Sequence, residues 1–111
     1  MNARLLIIDD EATIRSSLEE SLAAEGYAVD IAESGEEALA KCHGNTYDLL
    51  ITDIDMPRMT GIELVTMLKA DPRLEAIPVV IVSYKDREED KVRGLEAGAE
   101  AYDAALGLAA T

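Results

Sequence analysis

Three short, unbroken apolar runs constrain this chain more than any other feature: Leu5-Leu6-Ile7-Ile8, Leu49-Leu50-Ile51 and Val79-Val80-Ile81-Val82. Each is strand-sized, and none alternates with polar residues. A strand with one wet face alternates, whereas a strand covered on both faces does not, so these runs read as the central strands of a parallel sheet. A fourth run, Tyr27-Ala28-Val29-Asp30-Ile31, does alternate and suits a strand nearer an edge. A fifth short strand is expected at residues 99–102. With no Trp or Phe and only four Tyr, the core between these elements must be aliphatic.

Helical patterns fill the gaps. Ile14, Leu18 and Leu22 recur every four residues within 11–25, and Gly26 ends the pattern. Ser34 with Glu37 has capping-box spacing and opens a helix toward His43, closed by Gly44. Thr60 with Glu63 repeats that signature, Ile62, Val65 and Leu68 follow, and Asp71-Pro72 breaks the helix. Asp86 with Glu89 starts a further helix that runs to Gly98. Strand–helix alternation of this kind, with right-handed crossovers, specifies a doubly wound α/β domain. The expected fold is flavodoxin-like, a five-stranded parallel sheet of order 2-1-3-4-5.

In such a sheet, chemistry collects beyond the carboxyl ends of the strands where the strand order reverses, here between the first and third. Asp9 and Asp10 follow the first strand, Asp53 follows the third, and Ser83 ends the fourth. Three converging carboxylates repel one another, so either one holds a proton or a divalent cation sits among them. Oxygen donors suit a hard ion such as Mg²⁺, which would neutralise charge on a transferring phosphoryl group. Asp53 is the candidate nucleophile, because an aspartyl carboxylate can attack phosphorus to give an acyl phosphate. The simpler alternative is that Asp9 or Asp10 caps the helix starting near Glu11 and that Asp53 and Ser83 are ordinary loop residues.

Read together, Ile8-Asp9-Asp10-Glu11, Asp53-Ile54-Asp55-Met56-Pro57-Arg58-Met59-Thr60-Gly61, Pro78-Val79-Val80-Ile81-Val82-Ser83 and Gly98-Ala99-Glu100-Ala101-Tyr102 resemble the receiver domains of two-component response regulators in order and spacing. The resemblance covers residues 4 to about 102; the domain is expected over 1–102, leaving 103–111 as an atypical tail. It implies that Asp53 accepts a phosphoryl group from a histidine kinase or phosphotransfer protein. It further implies that Asp9, Asp10, Asp53 and the backbone carbonyl of Asp55 hold Mg²⁺. Ser83 would be the hydroxyl that turns to the phosphoryl oxygen and Tyr102 the aromatic that rotates with it, altering a surface read by a downstream protein or output domain. No enzymatic activity is implied beyond self-directed phosphoryl transfer and hydrolysis of the aspartyl phosphate.

Two departures stand out. The family places a lysine three residues after the Tyr102 position; here Ala105 stands there, and no Lys or Arg follows Arg93. Loss of such a charge-assisted contact costs roughly 2 kcal/mol or more of phosphoryl-state stabilisation. The chain also stops at Thr111, short of the family's final helix, so an apolar strip on the sheet is expected to be left open to self-association. These departures keep a second reading open, a pseudo-receiver that binds partners without phosphosignalling. A third, a haloacid-dehalogenase-like phosphatase built on Asp53-Ile54-Asp55, fits poorly with Met56-Pro57 and with the short chain that follows.

A net charge of -13 argues against direct contact with a nucleic-acid backbone. No apolar run reaches the length of a membrane span. A single cysteine, Cys42, fits a reducing compartment, and the expected location is cytoplasmic.

Overall fold

The computed structural model describes residues 3–83 and 101–104. Their elements run β1 (Arg4–Ile8), α1 (Ala12–Ala24), β2 (Ala28–Ala32), α2 (Gly35–Gly44), β3 (Leu49–Asp53), α3 (Gly61–Ala70), β4 (Val79–Ser83) and β5 (Ala101–Ala104). All neighbouring strands pair in parallel in the order β2-β1-β3-β4-β5. This is the expected flavodoxin-like sheet. The alternating run, β2, lies at its edge.

The continuous apolar runs are explained by two cores, one on each face of the sheet. Successive strand side chains point to opposite faces, so Leu6 and Ile8 join a cluster with Leu50, Val79, Ile81 and the inner faces of α2 and α3. Leu5 and Ile7 turn the other way, into a smaller cluster with Leu18 of α1, Ile51 and Val82. Every residue from Leu5 to Ile8 is therefore buried.

Local signals set the helix ends. Ser34 accepts from the Glu37 N–H at 3.1 Å and caps α2. Thr60 and Glu63 close a full capping box on α3, each side chain bonding the other's backbone N–H at 3.1 Å. Gly26, at φ 97°, makes the left-handed turn out of α1 that a side chain would oppose. At the end of α2 the reading shifts slightly. Gly44 is the last helical residue, and the Asn45 side-chain amide covers the exposed Lys41 carbonyl at 3.0 Å. The fifth strand is displaced by two residues from its expected place, because pairing with β4 (Ile81 beside Tyr102) decides it rather than any local pattern. The helix expected over 86–98 and the tail beyond Ala104 lie outside the described residues. The apolar strip expected to be left open on the first, third and fifth strands is not open on β1 and β3, where Leu5, Ile7 and Ile51 are buried with Leu18 of α1.

One glycine locks the junction that matters most. Gly61 opens α3 against the end of β3, with its N–H on the Ile54 carbonyl at 3.0 Å. A Cβ there would stand 2.2 Å from the Asp53 carbonyl oxygen, a backbone atom that cannot swing away. Gly61→Ala is therefore expected to destabilise the domain by about 3 kcal/mol, read as a lower midpoint in urea denaturation. An unchanged midpoint would show that α3 can shift without cost.

Candidate functional site

The β1–β3 register builds the site. Ile8 lies beside Thr52 in the parallel ladder, so the next step along each strand sets Asp9 level with Asp53. Asp10 follows in the β1–α1 turn. One carboxylate oxygen from each of Asp9, Asp10 and Asp53 lies within 4.8 Å of the other two. Asp9 and Asp53 are buried, at 2% and 9% exposure, while Asp10 faces solvent. A buried floor with one open side is the geometry of a site that admits an ion and a ligand from water.

Each buried carboxylate is partly held by its own chain. Asp53 Oδ1 accepts from the Ile54 N–H at 2.8 Å. Asp9 Oδ1 accepts from the Glu11 N–H at 2.9 Å. The helix-cap alternative is thus half right. Asp9 satisfies the backbone just ahead of α1, but the N-cap position itself is Glu11, without a side-chain cap bond.

Burial and mutual repulsion dominate the electrostatics. Burial pushes the Asp53 carboxyl up to about 7, the neighbouring Asp9 charge adds to the rise, and the Ile54 and Asp55 N–H groups oppose it. The Asp9 carboxyl is also raised, chiefly by burial. Two buried acids that resist ionising together, with a third beside them, favour a proton or a hard divalent cation at their centre.

The loop after β3 is tied down from the α2 side. Arg58 sits at φ 67° with its Nε on Glu36 Oε2 at 3.0 Å. The Met59 sulfur packs where a Cβ on Gly35 would stand, 2.6 Å away. Asp55 lies exposed in this loop, two residues past Asp53. Ser83 ends β4, one step beyond Val82, the partner of Asp53 in the ladder. Tyr102 pairs with Ile81 in β5. The description of Ser83 and Tyr102 extends to their backbone, and Ala105 lies outside the described residues.

Sequence reasoning missed Arg15. Its side chain is only 10% exposed, and its Nη1 donates to the Asp9 carbonyl at 2.8 Å. The available signal was spacing, since Arg15 precedes Leu18 and Leu22 by three and seven residues and so shares their inward stripe. Cys42 is a buried core residue whose thiol is pushed up to about 11 by burial, which leaves it unreactive.

Residues 5–102 match the response regulator receiver domain family over almost the whole chain. The chain belongs to this family. It is 44% identical over 99 residues to a gliding motility regulatory protein of Myxococcus xanthus, a match covering 89% of this chain and 13% of that protein. It is 35% identical over 102 residues to the response regulator MprA of Mycobacterium bovis, covering 92% of this chain and 44% of MprA. The chain therefore spans less than half the length of these relatives. Among solved structures, the chemotaxis protein CheY4 of Vibrio cholerae superposes with a TM-score of 0.87 at 32% identity, over 92% of this chain and 85% of CheY4. This receiver domain of a two-component system thus carries its acidic cluster at the carboxyl end of its central strands. No helix among the described residues is long and apolar enough to cross a membrane.

Raising the folded-state pKa of Asp53 to about 7 from an ordinary 3.8 makes the folded state hold its proton more tightly than the unfolded chain. This contribution to stability is complete below the unfolded value and is lost as pH rises toward and through 7. In divalent-free buffer Asp53→Asn is expected to melt about 5 °C or more above the wild type at about pH 8, and equally with it near pH 4. Thermal melts of both proteins across that range check the sign. A variant that melts lower at high pH would contradict the repulsion described above.

Proposed function

We propose that this receiver domain is a phosphoacceptor module of a two-component phosphorelay, with Asp53 as the residue that is phosphorylated. The observation that carries this reading is the convergence of the Asp9, Asp10 and Asp53 carboxylates within 4.8 Å at the ends of two adjacent central strands. The donor is the phosphohistidine of a histidine kinase or phosphotransfer protein. A carboxylate oxygen of Asp53 attacks phosphorus, the P–N bond to the donor histidine breaks, and an acyl phosphate results. Attack by water on that phosphorus returns the carboxylate and releases inorganic phosphate, so the signal resets itself. No other turnover is proposed.

The donor set fits Mg²⁺: hard oxygens only, two of them buried and short of counter-charge, one open to water. Asp9, Asp10, Asp53 and the Asp55 carbonyl would hold the ion, which supplies positive charge against the phosphoryl oxygens. The protein's part is positioning. The Ile54 N–H fixes one oxygen of Asp53, and the sheet sets its height relative to Asp9. Ser83 is proposed to turn its hydroxyl toward the phosphoryl group and Tyr102 to follow it, altering a surface read by a downstream protein or by an output domain. The setting is cytoplasmic.

Of the two departures, the one at Ala105 bears directly on the second reading, the pseudo-receiver: Ala105 stands where the family places its phosphate-pairing lysine. Incubation with acetyl phosphate and Mg²⁺ separates the two. The phosphoacceptor reading expects one phosphoryl group per chain by intact-mass measurement, lost in Asp53→Asn and in the presence of a chelator. A chain that stays unlabelled under these conditions is a pseudo-receiver.

A further inference from the structure

Arg15 is a costly residue in its place. The buried polar and charged side chains among the described residues are Asp9, Arg15, Thr52 and Asp53. A guanidinium taken out of water needs good partners to offset its desolvation. Of its two polar contacts, the one to Glu33 Oε1 is long, at 3.4 Å, and Glu33 is 70% exposed. Such a pair contributes little. The other is the short bond, 2.8 Å, to the carbonyl of Asp9.

That bond completes the fixing of one residue. The Asp9 N–H donates to the Ala32 carbonyl at 3.1 Å, its carboxylate accepts from Glu11, and its carbonyl accepts from Arg15. Each polar group of Asp9 thus has a partner from a different segment: the end of β2, the turn before α1, and the body of α1. Asp9 belongs to the carboxylate cluster and Asp10 follows it directly, so whatever fixes the Asp9 peptide also sets the path that carries Asp10 toward Asp53. Groups that orient a metal ligand without touching the ion commonly control its affinity.

We infer that Arg15 is a positioning residue for the divalent cation site, holding the β1–α1 turn so that Asp9 and Asp10 present their carboxylates to Asp53. This rests on the phosphoacceptor reading, which places Mg²⁺ at that cluster. Arg15 also carries charge, and the two effects have opposite signs. As a nearby cation it repels a bound ion, and its removal would tighten binding. As a scaffold it orders the ligands, and its removal would loosen binding. Because the guanidinium bonds the Asp9 backbone carbonyl and not the carboxylate that would face the ion, ordering is the effect expected to dominate.

Mg²⁺ titration of the full chain by calorimetry decides the sign, with melting in chelator run alongside as a separate measure of stability. Arg15→Met is expected to weaken Mg²⁺ affinity about tenfold or more. Unchanged or tighter binding overturns the inference, including the case in which only the melting temperature in chelator falls. Should Arg15→Met not fold, Arg15→Gln, which is neutral and too short to span both partners, carries the same comparison with the same two outcomes. A wild-type chain that neither binds Mg²⁺ nor takes label from acetyl phosphate overturns the phosphoacceptor reading and this inference together. Wild-type binding and labelling with unaltered affinity in the Arg15 variants overturns only the role given to Arg15.

Discussion

The parallel pairing of β1 with β3 is the constraint on which the rest of this molecule depends. Both strands are covered on each face, so their register is held by side-chain packing above and below the sheet as well as by the ladder itself. A slip of one residue would turn Leu6 and Ile8 into the opposite core and move Asp9 out of level with Asp53. The aliphatic packing and the placement of the acids are therefore one property. The sheet cannot relax the crowding of charge at its tip without giving up its core.

That crowding is stored where it can be used. Burial raises the Asp53 carboxyl, and Asp9 beside it raises it further, so the cluster resists full ionisation. A hard cation among the three carboxylates would relieve the repulsion. The chain belongs to the receiver family, and its three acids converge at the ends of its central strands. Gly61 and Arg15 act on the two sides of the cluster. Gly61 lets α3 approach the Asp53 carbonyl, while Arg15 secures the Asp9 carbonyl from α1. Both act through backbone atoms of the acidic residues rather than through their carboxylates.

Much of this was legible in the sequence. Unbroken apolar runs of strand length read as strands buried on both faces, and such strands, separated by helical spacing, point to a doubly wound sheet. The Ser34 cap, the capping box at Thr60 and the stop at Gly26 are local chemistry, decided by neighbours within a few residues, and each bounds a helix where the pattern placed it. The acids at positions 9, 10 and 53 could be assigned to one edge because topology alone brings the tips of strands 1 and 3 together.

What tertiary structure alone decided were the contacts between segments distant in sequence. Spacing sets Arg15 on the inward stripe of α1, but only the docking of α1 shows that its guanidinium reaches the Asp9 carbonyl. Gly61 reads as the end of a motif until α3 packs against the Asp53 carbonyl. The position of β5 follows its partner strand, since a short Ala-rich segment has no pattern strong enough to fix its own register. Side-chain periodicity is written residue by residue along the chain. The depth of a charge, the closeness of two backbones and the pairing of a weak strand are set by surfaces that meet only after folding.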